Sequence, residues 1–271
     1  MTDDFGKVLL VGCGNMGGAM VRGWIADGAA PAAITAIDPF AEPPAPGVRI
    51  VRAAGELAGE TADLLLLAVK PQQLDAVAPD VAPLVGPQTV LLSILAGVEI
   101  DALRRRFPTA GTIIRVMPNT PAAIGKGVMA LYGTTDDPVI RARAEALMRP
   151  LGLVEWISAE SLFDAVTALS GCGPAFVFRF IDGLARAGAA LGLPADQAAR
   201  LALATVEGSA LLAAGADESP AQLADRVASP GGSTREGMNR LDENGDLFRL
   251  LAETLAAAAK RNAEMAAAAR G

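Results

Sequence analysis

The 271-residue chain contains no histidine. That excludes an imidazole general base, a Ser-His-Asp triad and any His-ligated metal. Chemistry must come from a cofactor, from carboxylate, lysine, tyrosine or hydroxyl groups, or from the backbone, and no metal site is expected. The two cysteines, Cys13 and Cys172, give neither a disulfide framework nor a zinc spacing. Both are expected as small, partly buried residues in a reducing cytoplasm. Aromatics make up only 4% of the chain, so its alanine-rich helices must pack on small side chains. Basic residues are outnumbered, 23 against 30, for a net charge of −7. That argues against nucleic acid as a partner, because phosphate binding needs a basic face. No apolar run approaches the roughly 20 residues of a membrane span, and Met1-Thr2-Asp3-Asp4 lacks the basic start of a secretory signal. A cytoplasmic protein with no membrane partner is expected.

What is present begins with Gly12-Cys13-Gly14-Asn15-Met16-Gly17, which follows the apolar run Lys7–Val11 and opens a helical segment reaching about Asp27. Strand, glycine turn and helix are the context that gives a G-x-G-x-x-G its meaning. Gly12 permits the tight turn, Gly14 lets backbone approach a pyrophosphate, and Gly17 allows helix and strand to pack closely. The unpaired N–H groups and the helix dipole then face the phosphates. A glycine-rich turn with no ligand is the alternative for the bare motif.

Further strands are expected at Ile34–Ile37, Val48–Val51, Leu64–Val69, Thr89–Ile94 and Thr112–Val116, with helical segments between them. This alternation implies a parallel, doubly wound sheet, with Val128–Tyr132 and Val154–Ile157 at its edge. Beyond about Ser158 only helices separated by Gly/Pro punctuation are expected. The boundary is placed between a dinucleotide-binding domain, residues 1–158, and a helical dimerisation and substrate-binding domain, residues 159–271. The helices of the second half are apolar on more than one face, which favours a homodimer over a monomeric helical domain.

Asp38 ends the second strand about 20 residues past the glycine motif, where a carboxylate accepts hydrogen bonds from ribose hydroxyls and repels a 2′-phosphate. That reading favours NADH over NADPH; a simple turn residue before Pro39 is the alternative. Val69-Lys70-Pro71, Ala96-Gly97 and Asn119 stand at later strand ends, on the carboxyl edge where such sheets bind ligands. Lys70 suits cofactor phosphate or ribose, or else caps its loop in solvent. Asn119, stiffened by Pro118 and Pro121, suits an amide or hydroxyl near a nicotinamide ring. In the second half, Ser229-Pro230-Gly231-Gly232-Ser233-Thr234 precedes a helix. The N–H groups of Gly232, Ser233 and Thr234, with two hydroxyls, form a site for a carboxylate. An N-cap after a loop is the alternative.

The glycine motif, Ala68-Val69-Lys70-Pro71, Arg115–Pro121, Ser170-Gly171-Cys172-Gly173-Pro174-Ala175 and Ser229–Thr234 occur in that order. Together they resemble the pyrroline-5-carboxylate reductases, which complete proline biosynthesis, over nearly the whole chain. The resemblance implies an N-terminal Rossmann domain, a helical domain that interlocks with a partner's, and dimers that assemble into decamers. It implies a cofactor, NADH or NADPH, held by Gly12–Gly17, Val69-Lys70-Pro71, Ala96-Gly97 and Asn119. It also implies that Gly231, Gly232, Ser233 and Thr234 bind the substrate carboxylate, with Thr234 bonding the ring nitrogen. An interlocked dimer would let that turn serve the partner subunit's cofactor. The implied chemistry suits a chain without histidine, since an imine is basic enough to take its proton from water or hydroxyls.

Two departures from the family pattern are Cys172, where serine is usual, and Phe176, where tyrosine is common. They put side-chain hydrogen bonds from these positions in doubt and leave the backbone untouched. A related imine reductase, a β-hydroxyacid dehydrogenase or a non-catalytic dinucleotide-binding protein are the competing readings. The dehydrogenase would need a lysine on the first long helix of the second half, and Pro174–Leu191 has none. An intact Ser233-Thr234 turn argues against the non-catalytic reading.

Overall fold

The computed structural model describes residues 6–270; the inference from Met1–Asp4 lies outside them. Eight strands form one sheet: β1 (Val8–Val11), β2 (Ile34–Ile37), β3 (Arg49–Val51), β4 (Leu64–Leu67), β5 (Val90–Ser93), β6 (Thr112–Met117), β7 (Gly127–Gly133) and β8 (Gly152–Trp156). Their order is β3-β2-β1-β4-β5-β6-β7-β8. The central strands are continuous apolar runs because both of their faces are covered. Val8, Leu10, Leu64 and Leu66 meet Met20, Val21 and Trp24 of α1 (Asn15–Ala26) and Leu147 of α4 (Pro138–Met148). Leu9, Val11, Leu65 and Leu67 meet Leu74 and Val81 of α2 (Leu74–Val81) and Leu103 of α3 (Ile100–Arg106). The period of two sends alternate leucines of one strand into separate cores. Each fully buried leucine contributes about 1.5–3 kcal/mol.

The first six strands are parallel, as the alternation implies. The expectation of a parallel sheet fails at its edge: β7 runs antiparallel to β6, and β8 is parallel to β7. Met117 is joined to Gly127 by a short 3₁₀ turn at Thr120–Ile124, too short for a crossover, so the chain folds straight back. Because β1 pairs with both β2 and β4, the direction of winding reverses there. A crevice therefore opens beyond the carboxyl ends of β1 and β4.

The helical half is built as expected from α6 (Gly173–Ala190), α7 (Ala195–Ala214), α8 (Pro220–Val227), α9 (Ser233–Asp242) and α10 (Asp246–Arg270), preceded by the short α5 (Phe163–Val166). The first of these helical segments, α5, runs into a π-helical turn, Thr167–Gly171. By contacts the chain divides into residues 1–172 with 258–271, and residues 173–257. The expected division at 158/159 follows the change from strand to helix. The contact division falls later because Phe163 buries itself beside Met117 and Ala130, and the end of α10 packs back on the first unit.

The membrane reading needs one correction. The helical stretch Glu160–Ala190 reaches a mean hydropathy of 1.3 and by length and composition is sufficient to cross a bilayer. The π-helical turn interrupts it, and Arg179 and Arg186 stand exposed beside Asp182. Within residues 173–257, α6 and α7 pack against each other and bury Ala198 and Ala202. Phe178 and Phe180 nevertheless remain 63% and 56% exposed, with Leu203, Leu211 and Leu212 also uncovered. An apolar surface of this extent marks an interaction site.

Candidate active site

Gly12, Gly14, Asp38, Val69 and Lys70 line one cavity of about 390 Å³ at the carboxyl ends of β1 and β4. Gly12 lies at φ +92°, and a β-carbon there would sit 2.8 Å from the carbonyl carbon and oxygen of Ala68. Only glycine avoids both conflicts. A β-carbon on Gly17 would come within 2.5 Å of the Gly12 carbonyl oxygen, so α1 approaches the turn closely for lack of one. At Gly14, the residue before α1, a β-carbon would meet nothing within 4 Å, leaving space against the helix start. These features fit a dinucleotide whose pyrophosphate rests on the N-terminus of α1. Cys13 is buried within the turn, Gly14 and Asn15 are exposed, and Met16 is half-buried. Burial first, then the charge of Asp38, holds the Cys13 thiol above its ordinary pKa against Arg22, so this thiol stays protonated.

The structure shows the turn role of Asp38. Its Oδ2 accepts from the Cys13 N–H at 2.8 Å, and its Oδ1 accepts from Phe40 and Ala41 N–H, both at 2.9 Å. It therefore builds the turn and also lines the cavity, with Oδ2 accepting a single bond. Partial burial raises its pKa, but the three N–H donors and the Arg52 charge outweigh this and hold the carboxyl below its ordinary value. A depressed folded-state pKa contributes stability that is complete above the unfolded value and lost as pH falls through the folded one. Asp38→Asn is thus expected to flatten part of the acid limb of a thermal-denaturation profile as pH falls below about 4, the ordinary carboxyl value. An unchanged limb would remove Asp38 from the determinants of acid stability.

Arg52 was not singled out from the sequence. It follows β3 at the carboxyl edge, lines the same cavity, and donates from Nη1 to the carbonyls of Asp38 (3.2 Å) and Ala41 (2.7 Å). Its signal was position alone, one residue past a strand end beside Asp38.

Pro71 and Ala96 line a second cavity of about 550 Å³ with Asp75, Arg106, Arg261 and Met265. Helix α10 closes over it: a β-carbon on Gly97 would lie 3.3 Å from the Ala266 nitrogen. Nothing in the sequence brought the last helix to this loop, because the contact joins residues far apart in the chain. Asn119 lines neither cavity. Its Oδ1 accepts from the Val128 N–H at 2.9 Å and its Nδ2 donates to the Ser170 carbonyl at 3.0 Å. Both ends of the buried amide thus tie the β6–β7 turn to the π-helical turn, a structural role that the sequence reading did not include. Arg115, buried, donates to Glu160 Oε1 at 2.8 Å and lies over the Phe163 ring, and the same oxygen accepts from the Ile100 N–H.

Gly231, Gly232, Ser233 and Thr234 lie in the other unit, at the start of α9. Gly231 has φ +71°. Gly232 does not offer its N–H as expected, because that group donates to the Ser229 carbonyl at 3.0 Å and closes the turn. Ser233 and Thr234 occupy the first two helical positions, whose N–H groups have no partner within a helix.

Residues 160–265 match the family model described as pyrroline-5-carboxylate reductase dimerisation, and residues 7–97 match NADP oxidoreductase coenzyme F420-dependent. The pyrroline-5-carboxylate reductase of Pseudomonas aeruginosa is 35% identical over 96% of this chain and 97% of its own. The chain belongs to the pyrroline-5-carboxylate reductase family. It is an NAD(P)H-dependent oxidoreductase of that kind, and the exposed face of α6 and α7 falls within the matched dimerisation region. Among solved structures, the Coxiella burnetii pyrroline-5-carboxylate reductase superposes with a TM-score of 0.87 at 33% identity, covering 96% of this chain and 98% of that one. A Plasmodium falciparum pyrroline carboxylate reductase with NADP bound superposes with a TM-score of 0.83 at 28% identity, covering 96% and 98%. The Rossmann sheet and helical region of this reductase are therefore those of its family.

Proposed function

We propose that this reductase converts 1-pyrroline-5-carboxylate to proline with its two determinants at opposite ends of the chain. The glycine cradle and Asp38 hold the dinucleotide; the turn at the start of α9 holds the substrate carboxylate. The observation that carries this reading is the free first turn of α9, two N–H groups and two hydroxyls, in a chain that also keeps the glycine cradle. When bound, the reduced dinucleotide supplies a hydride to the carbon of the C=N bond. The electron pair of that bond moves to nitrogen, which bears a proton from water or a hydroxyl. Ser233 and Thr234 orient the imine through its carboxylate, and the Thr234 hydroxyl bonds the ring nitrogen. Positioning and exclusion of water then suffice, with no strong protein acid. Val69, Lys70 and Pro71 would hold the ribose, and Ala96, Gly97 and Asn119 would hold the nicotinamide end; the Asn119 side chain also fixes the turn it belongs to. In a homodimer the α9 turn serves the partner subunit's cofactor, and the dimers assemble further, to a decamer.

NADH is the preferred dinucleotide in this reading. A 2′-phosphate would meet the Asp38 carboxylate, held ionised by its donors. The Plasmodium relative was solved with NADP, so the two cofactors must be compared on this chain directly. Oxidation of NADH and NADPH in the presence of pyrroline-5-carboxylate tests the activity; no turnover with either would sink the assignment. Asp38→Ser is expected to raise the NADPH-to-NADH ratio of kcat/KM about tenfold, the equivalent of roughly 1.4 kcal/mol. An unaltered ratio would remove Asp38 from cofactor choice.

A further inference from the structure

We propose that Arg235 is a positioning residue that shapes the carboxylate-binding turn and so sets the preference of this reductase for imines bearing a carboxylate. The proposal rests on the assignment of that turn to the substrate. Arg235 is the third residue of α9, directly after Ser233 and Thr234. Its Nη2 donates to Asp225 Oδ1 at 2.9 Å and to the carbonyl of Ala228 at 3.0 Å. Asp225 lies in the last turn of α8, and Ala228 is the buried residue that follows that helix. One guanidinium thus links the chain before the turn to the helix after it and closes a ring over residues 225–235.

The span it closes is weakly held by anything else. Gly231 and Gly232 lose more freedom on ordering than any other residue type, and the backbone bonds of the span are those from Ala228 N–H to the Asp225 carbonyl and from Gly232 N–H to the Ser229 carbonyl. One guanidinium nitrogen bonded to an acceptor on α8 and to another just after it is suited to hold Ser233 and Thr234 in one orientation. Arg235 is assigned no part as counter-ion of the substrate, since it is ion-paired with Asp225 on α8. Its effect on the reaction passes through the shape of the turn.

The test compares Arg235→Met with the unaltered enzyme on pyrroline-5-carboxylate and on 1-pyrroline, the same cyclic imine without the carboxylate. KM for pyrroline-5-carboxylate is expected to rise about tenfold or more, the usual worth of a hydrogen bond to a charged group. The KM for NADH should stay unchanged, and kcat/KM for 1-pyrroline, which meets only the Thr234 hydroxyl at its nitrogen, should fall severalfold less than that for pyrroline-5-carboxylate. Arg235→Lys, which keeps the charge and loses the fork, should fall between the two. Equal losses on both imines, or no loss on either, would overturn the proposal. Should Arg235→Met fail to fold, Asp225→Ala removes one anchor while keeping the guanidinium and must show the same selective rise. Thr234→Ala separates the premise from the proposal. If it leaves both kcat and the KM for pyrroline-5-carboxylate intact, the Thr234 premise fails, whereas normal Arg235 variants beside an inactive Thr234→Ala refute the positioning role alone.

Discussion

Thr234→Ala is expected to lower kcat with pyrroline-5-carboxylate about 10²–10³-fold, the cost of deleting one donor aimed at a reacting centre. The Kd for NADH should remain within about twofold, because the glycine cradle and Asp38, proposed above to hold the dinucleotide, belong to the other unit of the fold. Stability should scarcely change: Thr234 is exposed at the second position of α9, where alanine is a good helix former. Thr234→Ser keeps the hydroxyl and should retain most of the turnover. Steady-state kinetics with a fluorescence titration of NADH reads both quantities. Unchanged turnover in Thr234→Ala would remove the residue from the catalytic machinery.

The second large effect is expected from Gly12→Ala. The new β-carbon would lie 2.8 Å from the Ala68 carbonyl group and 2.9 Å from the Val69 nitrogen, at a φ of +92°. None of these atoms can yield easily. The Ala68 N–H donates to the Val11 carbonyl at 2.7 Å and the Gly12 N–H to the Ile37 carbonyl at 2.9 Å, so the conflict lies inside the sheet ladder. Left-handed backbone costs an L-residue about 1–2 kcal/mol, and overpacking adds about 1–3 kcal/mol. A loss of about 2–5 kcal/mol is a large share of the 5–15 kcal/mol typical of a domain. The variant should lose measurable dinucleotide binding and melt well below the unaltered enzyme in calorimetry. Gly14→Ala is the control, since its β-carbon meets nothing within 4 Å, and its melting temperature should stay close to the original. Equal stability of Gly12→Ala and Gly14→Ala would show that the turn is looser than its hydrogen bonds imply.

Much of the first half was legible because its signals are local. Leu64–Leu67 reads as a central strand from its four leucines, and the glycine spacing needs only the strand before it and the helix after it to be interpreted. The antiparallel return of β7 was not legible, since it depends on the length of the turn at Thr120–Ile124, which adds no pattern of its own to a run like Val128–Tyr132. Asn119 shows the same limit at a single side chain. Its place beside two prolines suggested a ligand contact, whereas its burial between Val128 N–H and the Ser170 carbonyl makes it a tie between segments. A buried amide must find such partners or forfeit about 1–3 kcal/mol, and only the folded chain decides which partners are near.

The carboxylate turn divides in the same way. Its glycines, hydroxyls and position before a helix stand in the sequence as Ser229–Thr234. That the Gly232 N–H is spent on Ser229, and that Arg235 reaches back to Asp225 and Ala228, follows from how α8 and α9 meet. By itself the sequence determined the type of each central element, the dinucleotide cradle and the absence of imidazole chemistry, because these rest on residue type and near neighbours. The tertiary structure alone decided the direction of the edge strands, the return of α10 to Gly97, and which polar groups were already engaged. Those depend on contacts between residues distant in the chain, which no local pattern encodes.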